Sequence, residues 1–199
     1  MGTLRFSAVV LAAGSSTRMQ GRHKLLLPLG DEPVIRRTVR EVLAAGPVET
    51  VVVTGSRADE VSAALSGLPV KLAFNPRYEE GQRTSVAAGA DALSAPADVT
   101  MICLGDMALL GAADYRELAA AHAARPHGSI TVPRRGGIRG NPVVFSPGIA
   151  GGLNLGCRKL IDEHPEEVYA YAPAHERFFI DLDTPEDYAR LLERLPATA

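Results

Sequence analysis

Short, uninterrupted apolar runs limit the folds open to this chain more than any other feature. Phe6-Ser-Ala-Val-Val-Leu11, Thr50-Val-Val-Val-Thr54 and Val99-Thr-Met-Ile-Cys-Leu104 are too short for helices and rich in β-branched residues, the pattern of strands buried on both faces. Segments with helical spacing lie between them. Pro33 opens one that puts Val34, Ile35, Thr38, Val39, Val42 and Leu43 on one side and stops at Gly46-Pro47. Ala58 to Leu65 and Gln82 to Leu93 read as further helices, with an extended piece, Val70 to Phe74, between them. Strand and helix thus alternate through the first half. This order predicts an α/β fold with a Rossmann-like, mostly parallel sheet sandwiched by helices.

Beyond Leu104 the pattern is less regular. Ala113 to Ala124 reads as a helix, and Ser129 to Pro133 and Pro142 to Phe145 as strands around a Gly/Arg-rich turn, Arg134-Arg-Gly-Gly-Ile-Arg-Gly140. Val168 to Ala172 and Phe178 to Leu182 are expected to add two strands, and Pro185 to open a last helix through Leu195 before a frayed tail, Pro196 to Ala199. No repeat or linker interrupts the 199 residues, which read as a single domain over 1–199.

Composition narrows the partners. Lys and Arg number 21 against 23 Asp and Glu, a formal charge of −2, so no bulk field would hold a nucleic acid, and any anion needs a local site. The longest apolar stretch, Ala8 to Ala13, is far below the roughly 20 residues of a membrane span, and the opening residues lack a signal-peptide pattern. A cytoplasmic location without membrane partners is the expectation. Cys103 and Cys157 stand outside any metal or C-x-x-C spacing and read as buried or half-buried free thiols.

In open parallel sheets, ligands collect beyond the carboxyl ends of the strands. Two glycine-bearing polar loops follow the strands ending at Leu11 and Leu104. The first, Leu11-Ala-Ala-Gly-Ser-Ser-Thr-Arg-Met-Gln-Gly-Arg-His-Lys24, joins small residues that allow close approach of a ligand, hydroxyls that can bind phosphate oxygens, and the charges of Arg18, Arg22 and Lys24. This composition fits a polyphosphate cradle and equally a solvated polar turn. It lacks the spacing of a Walker loop and of G-x-G-x-x-G. In the second loop Asp106 follows Gly105 and suits a metal ligand or, alternatively, the cap of a turn.

The first loop resembles the L-x-A-G-x-x-x-R-M-x-x-x-K signature of the MobA-like nucleotidyltransferases, with one residue more between Met19 and Lys24. With Lys24-Leu-Leu-Leu-Pro-Leu29 it is most similar to the molybdenum cofactor cytidylyltransferase branch. Weaker matches follow in order: Asn75-Pro76 with Glu80-Gly81 and Ser85, Leu104-Gly-Asp-Met107, Arg139-Gly-Asn-Pro-Val143 and Asp181-Leu-Asp-Thr-Pro-Glu-Asp187. The resemblance implies a nucleotide-diphospho-sugar transferase-like architecture, with a nucleotide-binding half at about 1–110 and an acceptor-binding half at about 111–199. It implies attack by a phosphorylated acceptor on the α-phosphorus of a nucleoside triphosphate, with pyrophosphate released. For this branch the triphosphate is CTP, the acceptor a molybdenum-bearing pterin monophosphate, the cofactor Mg²⁺, and a molybdoenzyme receives the product. Another phosphorylated acceptor, such as a sugar phosphate, or a non-catalytic carrier or insertion protein for the cofactor are the competing expectations.

On this resemblance Leu11, Ala12, Ala13, Gly14, Arg18, Lys24, Ser85 and Asp106 are the nucleotide-binding residues, with Arg18, Lys24 and Asp106 catalytic. Asp106 and Asp183 are the expected metal ligands, Asp181 being the fallback, although Asp183 also stands where an N-cap would. The methyl group of Ala13 would narrow the base slot in favour of a pyrimidine. Ser85 is a candidate partner of that base, and it and Thr84 are also ordinary helix-capping types. Two departures stand out: Ala108 where the family commonly has Pro after Gly-Asp-Met, and Asn141 where it commonly has His. Arg134, Arg135 and Arg139 suit either an acceptor phosphate or a solvated turn. His23 reads as a bystander, and His122, His127, His164 and His175 as surface residues.

Overall fold

The computed structural model describes residues 4–194. Its strands are β1 (Phe6–Ala12), β2 (Pro28–Leu29), β3 (Glu32–Pro33), β4 (Glu49–Thr54), β5 (Lys71–Phe74), β6 (Val99–Leu104), β7 (Ile130–Arg135), β8 (Ile138–Arg139), β9 (Val143–Phe145) and β10 (Val168–Tyr171). Its helices are α1 (Val34–Ala44), α2 (Ala58–Ala64), α3 (Gln82–Ala92), α4 (Ala112–Ala124), α5 (Pro147–Ala150), α6 (Cys157–Glu163) and α7 (Pro185–Arg194). The main sheet runs β10-β7-β9-β6-β1-β4-β5, with β8 paired on β7 and β2 and β3 forming a separate small hairpin. Within the main sheet β1, β4, β5 and β6 are parallel, and β9 enters antiparallel to both β6 and β7.

Burial on both faces explains the apolar runs. Along β1, Ala8, Val10 and Ala12 join the core under α1, α2 and α4, while Val9, Leu11 and Ala13 join the one under α3 and α6. No polar position is needed on a strand covered on both sides. Helix α3 lies close on the sheet because Gly89 permits it: a Cβ there would sit 2.2 Å from Val9 Cγ1 and 2.9 Å from Val53 Cγ2. This contact brings the start of α3 to the carboxyl ends of β1 and β4. Cys103 and Cys157 are free thiols, the first fully buried.

Three sequence expectations need correction. Phe178 to Leu182 is not a strand: Glu176–Phe179 forms a 3₁₀ turn. The Phe178 ring is buried in the core and stacks on His175 at 5.5 Å, and its carbonyl accepts from the loop amide of Asn141 at 2.9 Å, so the segment braces a loop instead of joining a ladder. His122 is not a surface residue. It is wholly buried, with Nδ1 2.8 Å from Thr131 Oγ1 and Nε2 3.1 Å from Ser146 Oγ, and burial pushes its pKa down to about 4. His175 is a half-buried member of a cluster with Asp114 and Glu117. The tail expected to fray, and the last residue of the expected final helix, lie outside the described residues.

Candidate functional site

β1 and β6 run side by side with Leu11 opposite Leu104, so the loops that follow them open at one edge of the sheet. Gly105 makes their approach possible: its amide donates to Leu11 O at 3.0 Å, and a Cβ would meet that oxygen at 2.9 Å and Ile35 Cδ1 at 2.8 Å. Asp106 is thereby delivered to face the first loop. That loop is itself a built structure. Met19 is buried as its anchor, the Met19 amide donates to Ser16 O at 2.9 Å, and the Lys24 amide donates to Ser16 Oγ at 3.1 Å. Ser16 and Gln20 hold positive φ, a strained setting for side-chain-bearing residues that is found where surroundings over-determine a loop.

Lys24 is the hub. Its Nζ lies 2.5 Å from Asp106 Oδ2 and 2.8 Å from Asp183 Oδ1, and Arg18 reaches Asp183 Oδ2 at 2.6 Å. Residues 24, 106 and 183 thus meet from three distant parts of the chain. Asp183 is free to do so because the capping role falls to its neighbours. Asp187 Oδ2 accepts from the Thr184 amide and hydroxyl at 2.8 Å each, while the Asp187 amide donates back to Thr184 Oγ1 at 3.2 Å. Helix α7 is held in place by buried Leu191 and by Tyr188, whose hydroxyl donates to Pro28 O.

The charge balance at this hub is incomplete. Burial raises the Asp106 carboxyl above its ordinary range against the pull of Lys24, and Asp106 Oδ1 is buried with no partner. Burial also opposes the charge on Lys24, but Asp106 and then Asp183 outweigh it, so the ammonium is held more firmly than usual. One ammonium therefore serves two carboxylates. Asp106, Asp181 and Asp183 offer oxygens within 4.8 Å of one another. An oxygen donor set with an orphaned buried oxygen fits a hard divalent cation such as Mg²⁺ or Mn²⁺.

These residues line a cleft of about 390 Å³. Leu11, Ala13, Gly14, Arg18, Lys24, Ser85, Asp106, Asp181 and Asp183 all face it, and Ala12 does not, because strand alternation turns its methyl into the opposite core. Ser85 and Thr84 do not cap α3, whose N-cap is Gly81. His23 is buried under the loop and lines no part of the cleft; burial, followed by Arg57, lowers its pKa. Arg139 pairs with Asp162 at 2.6 Å and Arg135 lies over the Phe179 ring, both away from the cleft. Leu25, Leu104, Tyr78, Gly81 and Gln82 complete the lining. Among the described residues, Tyr78 is the one aromatic that lines the cleft, and sequence reasoning missed it. It stands three residues after Asn75 at the carboxyl end of β5, where loop residues reach a ligand, and that position was its available signal.

Comparison with known proteins bears on the family and the fold. The sequence profile of the MobA-like NTP transferase domain matches residues 8–172. The bifunctional protein GlmU of Agrobacterium fabrum is 38% identical over 109 residues, which cover 53% of this chain and 24% of that protein, so the chain spans about a quarter of such relatives. Nicotine blue oxidoreductase of Paenarthrobacter nicotinovorans is 27% identical over 199 residues, covering 94% of this chain and 96% of that protein. A nucleotidyl transferase from Methanothermobacter superposes with a TM-score of 0.83 at 29% identity, covering 96% of this chain and 97% of that one. A Mycobacterium tuberculosis protein in complex with manganese gives 0.76 at 26% identity over 96% and 100%. Among the described residues, no helix is long and apolar enough to cross a membrane.

Proposed function

Because the chain belongs to the MobA-like NTP transferase family, we propose that its cleft binds CTP with Mg²⁺ and transfers CMP to the phosphate of a molybdenum-bearing pterin, releasing pyrophosphate. The observation that carries this reading is the junction of Lys24 with Asp106 and Asp183 beside the glycine-bearing loop.

The reaction joins two anions. An oxygen of the acceptor phosphate forms a bond to the α-phosphorus, and the bond from that phosphorus to the β-phosphate bridging oxygen breaks, with its electron pair leaving on pyrophosphate. No covalent enzyme intermediate is needed, so the chain's work is to position the reactants and neutralise charge. An ammonium has three hydrogens, and two of those on Lys24 are given to Asp106 and Asp183, leaving one for a phosphoryl oxygen. Arg18 is the exposed second cation, suited to the outer phosphates. Asp106 and Asp183, with Asp181 beside them, would hold the divalent ion, which when bound supplies charge neutralisation to the triphosphate. Ala13 and the start of α3 flank the base, Ala13 favouring a pyrimidine. Residues from about 111 onward shape the acceptor side, and a molybdoenzyme is the expected recipient of the product.

The test is pyrophosphate release by the purified protein with Mg²⁺, each of the four ribonucleoside triphosphates, and a panel of phosphorylated acceptors. CTP with the pterin monophosphate is expected to give the highest turnover. Preferred use of GTP overturns the base assignment, and preferred use of a sugar phosphate overturns the acceptor. Tight binding of the pterin with no pyrophosphate from any triphosphate makes the protein a carrier. The full-length likeness to an oxidoreductase favours a second reading, redox chemistry in the same cleft. Consumption of a reduced nicotinamide or flavin without pyrophosphate release would select it.

A further inference from the structure

Asn75 belongs to a motif that the reading above leaves without a task, yet it is 2% exposed and has both polar atoms of its side chain engaged. Its Oδ1 accepts the Arg77 amide at 3.0 Å, which fixes which end of the amide is oxygen. The two hydrogens on Nδ2 are therefore given to Thr84 Oγ1 at 2.9 Å and Ser85 Oγ at 3.0 Å. Thr84 is fully committed, since its hydroxyl donates in turn to Arg77 O at 2.7 Å. Ser85 is different. Its oxygen accepts from Asn75, and among the described residues its own hydrogen meets no protein acceptor, while the side chain lines the cleft. A hydroxyl that already accepts from a fixed donor must turn its hydrogen elsewhere.

We propose that Asn75 is a positioning residue that polarises Ser85 into a hydrogen-bond donor facing the base slot. The slot thereby selects a nucleobase that presents an acceptor there. Cytosine carries two adjacent acceptors, O2 and N3, on its pairing edge, whereas uracil replaces the second with an N–H. Ala13 limits the width of the slot, and the Asn75–Ser85 pair sets the polarity of one point within it. The inference rests on the nucleotide-transfer reading and adds to it a residue that never touches the substrate.

The test uses Asn75→Asp, Ser85→Ala and the double variant, with KM and kcat measured for CTP and UTP. A carboxylate at 75 accepts from both hydroxyls, so the Ser85 hydrogen turns inward and its lone pairs face the acceptors of the base. Ser85→Ala, which removes the bond to the base and leaves one Asn75 Nδ2 hydrogen unpaired, is expected to raise the KM for CTP about tenfold with kcat little changed. Asn75→Asp is expected to raise it about a hundredfold, because two acceptors then oppose each other without solvent, and to narrow the preference for CTP over UTP. The double variant should return to the Ser85→Ala level. A purely structural role for Asn75 predicts the reverse, a double variant at least as impaired as Asn75→Asp, and that result overturns the proposal. If Asn75→Asp lacks a cooperative melt, Asn75→Ala replaces it: its effect on KM should vanish in the Ser85→Ala background, and an equal effect in both backgrounds overturns the proposal. A wild-type protein that turns over no triphosphate sinks the nucleotide reading and this inference together. Turnover with unchanged selectivity in the variants sinks this inference alone.

Discussion

Two clusters of acidic side chains in this molecule have nearly the same spacing and opposite character. Asp106, Asp181 and Asp183 lie within 4.8 Å of one another, and so do Asp114, Glu117 and His175. In the second cluster the protein supplies the compensation. Asp114 Oδ2 accepts the Gly111 amide at 2.8 Å, Asp114 Oδ1 accepts from Arg177 at 2.7 Å, and Tyr171 donates to Glu117. The same helix, α4, also carries the buried His122 between Thr131 and Ser146. In the first cluster one lysine is shared between two carboxylates and a buried oxygen of Asp106 has no partner. Proximity of acids is common to both. Both also leave a buried atom without a partner, Asp106 Oδ1 in the first and His175 Nδ1 in the second, but only the first lines the cleft, so we propose the first cluster for catalysis and the second for stability.

The sharpest break of this contrast is Asp106→Ala, expected to lower transfer about a thousandfold while leaving the melting temperature nearly unchanged, as measured by pyrophosphate release and calorimetry. Near-normal turnover would remove Asp106 from the site. Lys24→Met should cost about 10²–10³ in rate, since one preorganised donor to the reacting phosphates is lost; an effect confined to stability would move Lys24 into the structural class.

On the α4 side the readout changes from rate to stability. His122 has an ordinary pKa of 6.5 when unfolded and about 4 when folded, so the unfolded state binds the extra proton between those values. Its contribution is complete above pH 6.5 and is lost as pH falls toward 4, a loss of about 3 kcal/mol at most. Denaturant melts from pH 7 to 4 should show that decline in the wild type and a flatter one in His122→Gln. Parallel profiles would contradict the assignment. Asp114→Asn strands Arg177 and should cost about 2 kcal/mol, discounted because the guanidinium is partly exposed, with activity per folded molecule unchanged. The smallest expected effect is a thermal shift with Mn²⁺ alone, worth about 1–2 kcal/mol, lost in Asp106→Ala and kept in Asp114→Asn. A shift lost in Asp114→Asn would exchange the two roles.

The fold was legible where local pattern suffices. The runs ending at Leu11, Thr54 and Leu104 are strands because a doubly covered strand must be apolar on both sides, and the turn into α3 could be placed from its spacing. Phe178 to Leu182 misled because its apolar residues fill a core from a 3₁₀ turn, where burial imitates the composition of a strand. His122 misled because a lone histidine on a helix shows nothing of the Thr131 and Ser146 that surround it. In the cleft, the loop from Leu11 to Lys24 and Asp106 were legible through the family resemblance, since their composition alone fits a solvated turn and a turn cap equally well. Tyr78 and the bond from Asn75 to Ser85 were not, because their partners are set by how α3 lies on the sheet.

Local chemistry alone determined the alternation of strand and helix, the small-residue loop after β1 and the carboxylate after β6. Only the tertiary structure decided that Lys24 would stand between Asp106 and Asp183, that Thr184 and Asp187 would take over the capping, and that the acids of α4 would be neutralised in place. The reason is that these meetings depend on the pairing of Leu11 with Leu104 and on the path of the chain from Phe178 into α7. Both are set by hydrogen bonds and packing between residues far apart in sequence, to which no local window of the chain gives access.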